Sequence, residues 1–443
     1  MSTQHDERSA EALVTATPDE PARKPAPLGH RFTALLASTA FANLGDGVIQ
    51  TGAPLIAITL TRSPGQVSLL SAAAWLPWLV LGIAGGVLVD RSDRRHAQMS
   101  ALVARSVLLA GACALTVAGH LTMPMLLVVV LLYGVTAVIA ELGETSIVPD
   151  LVSRDRLPAA NGRVLAVQQV ANVFLGSPAA GALLTLGAWS VLGVPAALAV
   201  GAALCLLVGV PGRYRHESSP ADADRGALGE VRDGLAFLLK HPVLRPQLWA
   251  SGLFNMGSTA YMAVIVLWMV GDGSRMGLKP VHYTLLMTLF AVGAVAGSVI
   301  AERIIHRVGE VRLLVVCFLL DSLLLLVPLL APHPGPVAVA LLLLGATGNV
   351  GNVITQSIRQ RLVPKHMLGR ISGAGRTFSY GLMPLGAIVG GVVGESLGLP
   401  ASLLTGTALC LAATAVLAAR VRQRDVDAAE LAPDEELSPA AGA

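Results

Sequence analysis

The stretch Gly85 to Arg95 reads GGVLVDRSDRR. It follows one apolar run and precedes another that begins at Ala97. It is a short basic hinge between two helices apolar enough to enter a membrane. A weaker counterpart, GSVIAERIIHR, occupies Gly297 to Arg307, roughly half a chain later. A hinge that returns at half-length points to a duplicated membrane bundle.

The composition around the hinge agrees. Of 443 residues, 54% are hydrophobic and 13% charged, and the mean hydropathy is +0.67. A water-soluble domain averages about 25% charged residues, so this chain has too few charges to coat a soluble surface. Apolar runs of about 20 residues, long enough for a ~30 Å hydrocarbon core, recur from residue 32 to residue 420. Twelve spans are expected: near 32–60, 66–89, 97–119, 122–148, 160–186 and 190–210, then near 247–270, 281–304, 311–331, 335–357, 367–394 and 400–420. The domains follow: a disordered cytoplasmic tail 1–31, a bundle 32–210, a cytoplasmic linker 211–246, a second bundle 247–420 and a disordered cytoplasmic tail 421–443. In the linker, Leu228, Val231, Leu235, Leu238 and Leu239 share one helical face, which predicts an amphipathic helix on the membrane surface.

The net charge of +3 is no nucleic-acid signature, and the expected contacts are the lipid bilayer and a small molecule. Cys113, Cys205, Cys317 and Cys410 lie inside apolar runs without CxxC spacing. They read as inert thiols, with no disulfide framework and no metal site. The first 30 residues are polar and Pro-rich and lack the apolar core of a signal peptide. With an even number of spans and both termini cytoplasmic, the outer loops hold Arg62, Arg275 and Lys279, and spans hold Arg105 and Arg376. The rest of the 31 Lys and Arg fall in termini, inner loops and their flanks, as the positive-inside rule requires.

The halves align as a repeat. A shift of 211 residues places Gly86 on Gly297 and Leu151-Val152 on Leu362-Val363. A shift of 212 places Asn43-Leu44-Gly45 on Asn255-Met256-Gly257. Parallel six-helix repeats of this kind build one class of secondary transporter, with the substrate site near the midplane between the halves.

Residues 32 to 420 thus resemble the major facilitator superfamily, whose loop between helices 2 and 3 carries a Gly, an Asp four residues on, and Arg residues. Here these are Gly86, Asp90, Arg91, Arg94 and Arg95. The resemblance implies an inner gate, with Asp90 facing the start of helix 11 and Arg94 a carboxylate near the end of helix 4 such as Asp150. IVPDLVSRDRLPAANG at 147–162, LVPKHMLGR at 362–370, GDG at 45–47 and LLKHPVLRP at 238–246 are similar to the branch containing the enterobactin exporter and macrolide efflux proteins. On span 5, Gly176, Pro178 and Gly181 resemble the antiporter motif of drug–proton exchangers, although Ser177 stands where that motif has Gly.

Ionisable groups within spans are costly and usually face an interior partner. Asp46 lies near the middle of span 1 and is the first candidate for proton coupling; Glu141 is the second. Arg105 is at a depth that predicts a pair with Glu141 or Glu144. Asp321, in span 9, has no partner nearby in sequence. Polar candidates for the substrate cavity are Asn43, Gln50, Gln168, Gln169, Asn172, Asn255, Tyr261, Asn349, Asn352, Arg376 and Tyr380.

The expectation is an all-α membrane protein with two six-helix pseudo-repeats. It would be a monomeric proton-coupled exporter of a hydrophobic drug or secondary metabolite, needing no cofactor beyond the proton gradient of a bacterial inner membrane. An importer or uniporter of the same fold and a transport-dead receptor are the alternatives. Paired catalytic carboxylates, zinc-ligand clusters, GxSxG and a Walker loop do not occur at convincing spacing, so an enzyme is not expected.

Overall fold

The computed structural model describes residues 29–91, 93–153, 156–212, 214, 227–364 and 367–431, with backbone only at 82–91, 227–228, 230–231, 306 and 369–370. Among the described residues, eleven stretches of helix are long and apolar enough to cross a membrane. In the first half, spans 1 to 4 are His30–Leu60, Pro64–Arg91, Arg94–Val117 and Met123–Leu151, and span 6 is Ala188–Gly209. In the second half, spans 7 and 8 are Leu244–Met269 and Pro280–Val308. Span 9 joins Glu310–Leu324 to Val327–Leu330, span 10 is Pro334–Leu362, span 11 joins Leu368–Gly381 to Met383–Leu397, and span 12 is Leu399–Arg420.

Span 5 crosses in three pieces: Leu157–Gln169, a π-helical stretch Val170–Gly176, and Ser177–Leu184. Proline lacks an N–H donor, and its ring crowds the carbonyl of the preceding turn. Pro178 opens the last piece, and the wider π-turn immediately before it relieves that crowding.

The apolar core reveals the state of the bundle. At the end remote from the termini, one core runs through both halves, joining Val48, Leu55 and Tyr133 to Tyr261, Val266 and Leu341. Toward the termini it divides. Phe32, Leu102, Ile147 and Leu206 form a core of the first half, and Leu244, Leu314, Ile354 and Leu417 form a core of the second. Among the described residues, one apolar core thus spans both halves at the far end, and two distinct cores lie toward the end that bears the termini, where span 2 still touches the start of span 11 and the linker helix.

Hydrogen bonds reinforce the seal. Arg62 donates to the carbonyl of Val270 at 3.0 Å. The Glu395 carboxylate of span 11 accepts from Ser63 Oγ at 2.7 Å and from the Gly65 amide at 3.0 Å. It thus satisfies a backbone donor at the start of span 2, where a negative charge is favoured.

Two expectations are corrected outside the membrane. The linker helix, Ala227–Lys240, does not present its whole apolar face to lipid. Phe237 and Leu238 are buried in the second half's own core, where Leu238 lies beside span 11 at Gly375. The C-terminal tail is not wholly irregular, because Gln423–Glu430 forms a helix. Val426 is buried there, Gln423 accepts from the Val311 amide at 3.2 Å, and Arg361 bonds both Glu310 and Glu430. The expected disorder of residues 1–28 and 432–443 lies outside the described residues.

Candidate transport site

The predicted gate is described in part. Gly86, Asp90 and Arg91 lie on the helical backbone of span 2, and their side chains are outside the described residues. Arg94 donates to the Ser146 carbonyl at 3.0 Å and reaches Asp150 of span 4 at 3.5 Å. Arg95 is buried and donates to the carbonyls of Leu206 and Leu207, at 3.3 and 2.9 Å. These carbonyls lie in the last turn of span 6, the negative end of its dipole. Asp93 caps span 3 through the amides of Arg95 and His96. Partial burial alone would raise the pKa of Asp93, but hydrogen bonds from the His96 side chain and from the backbone of His96 and Tyr214 outweigh it and hold it low.

Within the membrane, Arg105 does not pair with Glu141 or Glu144. Its guanidinium donates to Asp46 of span 1 at 2.8 Å and to Thr136 of span 4 at 3.4 Å. It also sits 4.6 Å from the centre of the Tyr133 ring, and the Tyr133 hydroxyl donates to the same Asp46 oxygen. Spans 1, 3 and 4 thus meet at one carboxylate. Matched depth on the adjacent helix suggested Glu141 and Glu144, but a long guanidinium can reach past its neighbour to span 1. Glu144 is buried instead against Thr39, at 2.8 Å, and Gln168, at 3.3 Å. Glu141 is exposed and interacts electrostatically with Arg376 of the other half.

The GDG stretch and the antiporter-like motif meet. A Cβ on Gly47 would fall 1.9 Å from the Asn172 carbonyl oxygen, and one on Gly176 would fall 2.8 Å from the Gly47 Cα. Only glycine permits this crossing of spans 1 and 5. Ser177, the departure from the motif, is buried and accepts from Thr51 of span 1 at 3.0 Å. A Cβ on Gly181 would collide with Thr284 of span 8, so span 5 also touches the other half.

In the second half, a cavity of about 540 Å³ lies among spans 7, 9, 10 and 11. Asn255, Asn352, Arg376 and Tyr380 line it, together with Asp321, Phe254, Phe318, Arg359 and Met383. Asn255 also points its amide toward the Ser379 carbonyl at 3.5 Å. Asp321 accepts from Thr347 of span 10, a partner one helix away that sequence alone does not identify.

Two cavity candidates are bonded to neighbouring helices and do not line this cavity. Tyr261 is buried and donates to the Leu325 carbonyl at 2.8 Å. Asn349 ties span 10 to span 8 through the Ala294 carbonyl, at 3.1 Å, and Ser298. Asn43 bonds its own helix at the Thr39 carbonyl, 3.0 Å away. Gln168 is held by Glu144, whereas Gln50 and Gln169 are exposed and Asn172 is half-buried. Arg359 and Asp321 were missed as cavity residues. Arg359 carried a signal, because it lies two helical turns beyond the candidate Asn352 and on the same face, whereas Asp321 has no polar neighbour at i±3 or i±4.

The comparisons agree with this architecture. The family model described as transmembrane secretion effector matches residues 23–441. The chain belongs to that family, within the major facilitator superfamily. It is 26% identical over 418 residues to the multidrug efflux pump Tap of Mycobacterium tuberculosis, covering 91% of this chain and 96% of that one. It is 22% identical over 406 residues to macrolide efflux protein A of Streptococcus pyogenes, covering 89% and 98%. Among solved structures, a bacterial homologue of the human lysosomal transporter Spinster, inward-facing and unoccupied, superposes with a TM-score of 0.73 at 14% identity, over 93% of this chain and all of that one. The family and the fold mark the chain as a multi-pass membrane transporter of the major facilitator type rather than an enzyme.

Proposed function

We propose that this transporter is a monomeric proton-coupled exporter. It would carry hydrophobic small molecules, such as drugs, antibiotics or siderophores, out of a bacterial cell across the inner membrane, with both termini cytoplasmic. The observation that carries this reading is the Asp46–Arg105–Tyr133 cluster. A carboxylate inside the membrane is tolerated when a cation or a proton neutralises it. Asp46 has the cation in this state. A proton arriving from outside would replace it and release Arg105 toward Thr136 and the Tyr133 ring.

The consequence for shape follows from the packing. Asp46 adjoins Gly47, which fixes span 5 against span 1, and span 5 meets span 8 at Gly181. A shift of span 1 would therefore bear on the interface between the halves. With both termini cytoplasmic, a core shared at the far end and divided toward the termini supports the state that would load from the cytoplasm. Alternating access would break the far-end bonds of Arg62 and Glu395 and close the Arg94–Asp150 side.

Expression in an efflux-deficient bacterium, with a panel of antibiotics and fluorescent dyes, tests the reading. At least one apolar compound should accumulate less, and a protonophore should abolish the difference. Unchanged accumulation across the panel, or export indifferent to the protonophore, would contradict it.

A further inference from the structure

Arg359 of span 10 and Arg376 of span 11 both line the second-half cavity, and they act on each other electrostatically. Neither makes a hydrogen bond or an ion pair among the described residues, and the Arg359 Nε is buried with no acceptor. Other arginines of this chain are served differently: Arg95 by the carbonyls ending span 6, Arg105 by Asp46, Arg361 by Glu310. Two like charges left facing one cavity raise the free energy of the empty site, and a buried charged donor without an acceptor adds to it.

The nearby carboxylates do not resolve this. Asp321 lines the same cavity, but its hydrogen bond is to Thr347, and it pairs with neither guanidinium. Glu141 acts on Arg376 from the first half without forming an ion pair. The wall therefore presents two guanidiniums against one carboxylate. Beside them the surface is apolar and aromatic: the Phe254 and Phe318 rings stand 4.8 Å apart, and Tyr380 and Met383 continue the wall.

We infer that the second-half cavity binds an apolar, aromatic molecule bearing one anionic group, with Arg359 and Arg376 holding the anion. A carboxylate, sulfonate, phosphate or acidic enol would supply the missing acceptors in the planar geometry that guanidinium groups favour. The aromatic wall takes the body. This inference rests on the export reading for its direction of transport, but the binding chemistry stands apart from coupling.

The test is equilibrium binding to the full-length protein in lipid nanodiscs, using dansylglycine and its neutral amide as matched fluorescent probes. The wild type should bind the acid about tenfold or more tightly than the amide, as loss of a charge-assisted contact predicts. R359Q and R376Q should each weaken acid binding, and the double variant should bring it to the level of the amide. Amide affinity should stay constant, and monodisperse elution with an unchanged thermal midpoint would show intact folding. R359K, which keeps the charge and loses the planar fork, should fall between. Equal wild-type affinity for acid and amide would overturn the inference whatever the variants do. Displacement of the acid by inorganic phosphate at equal concentration would overturn the need for an apolar body. Acid-selective binding without protonophore-sensitive export would break the export reading alone.

Discussion

Asp46 and Asp321 are both carboxylates within membrane helices, one in each half, and their partners differ in kind. Asp46 is bonded to a guanidinium and a phenol, whereas among the described residues the Asp321 carboxylate accepts from a threonine hydroxyl alone. The arginines follow the opposite pattern. In the first half Arg105 is enclosed by Asp46, Thr136 and Tyr133; in the second, Arg359 and Arg376 face an open cavity. A duplicated fold has thus diverged in its charges. Under the proposed coupling and binding, the pair in the first half is what a proton would open, and the cations in the second are what a ligand would satisfy.

The largest effect expected lies at the crossing beside the closed pair. Gly47→Val would drive a side chain into the backbone of span 5, and folded protein and transport should both be lost. Gly45→Ala, whose new Cβ would rest 3.4 Å from Pro195, should express and transport nearly as the wild type does. Similar behaviour of the two variants would remove the case for a glycine-specific crossing.

Next in size is the pair itself. Arg105→Leu leaves Asp46 without its cation and should cost about 3–5 kcal/mol of stability. The double variant with Asp46→Leu should recover most of that loss. In the second half, Asp321→Asn keeps an acceptor for Thr347 and should cost less than about 1.5 kcal/mol. Chemical or thermal unfolding in detergent measures all three, and additive losses at Asp46 and Arg105 would show that the pair is not a unit.

The sealed end should respond more mildly. Glu395→Ala removes the hydrogen bonds to Ser63 and the Gly65 amide and should bias the protein toward opening there. Spin labels at Thr61 and Asp272 should then report a longer distance, and an unchanged distribution would contradict the seal. Smallest of all is Arg361→Ala on the tail helix. An exposed pair of this type contributes about 0–1 kcal/mol, so the thermal midpoint should hardly move.

Much of the fold is legible in the chain because lipid imposes length and apolarity on every span. Arg94 could be directed to Asp150 because the family resemblance implies a carboxylate at the end of span 4, and spans 3 and 4 are consecutive antiparallel helices. The Asp46–Arg105 pair was not legible, because spans 1 and 3 are neighbours only after the bundle has packed. Tyr261 and Asn349 carry the same polarity whether they line a cavity or bind a neighbouring helix, so composition could not separate those roles. The tail helix escaped for a different reason: its one buried contact, Val426, stands alone among charged residues.

The central claim is that Asp46 carries the coupling proton. Its most direct test is pH-gradient-driven uptake of an exported compound into everted vesicles, wild type against Asp46→Asn. Substrate binding should survive in the variant, while acceleration by the gradient should disappear. An Asp46→Asn protein whose transport still follows the pH gradient as the wild type does would contradict the account.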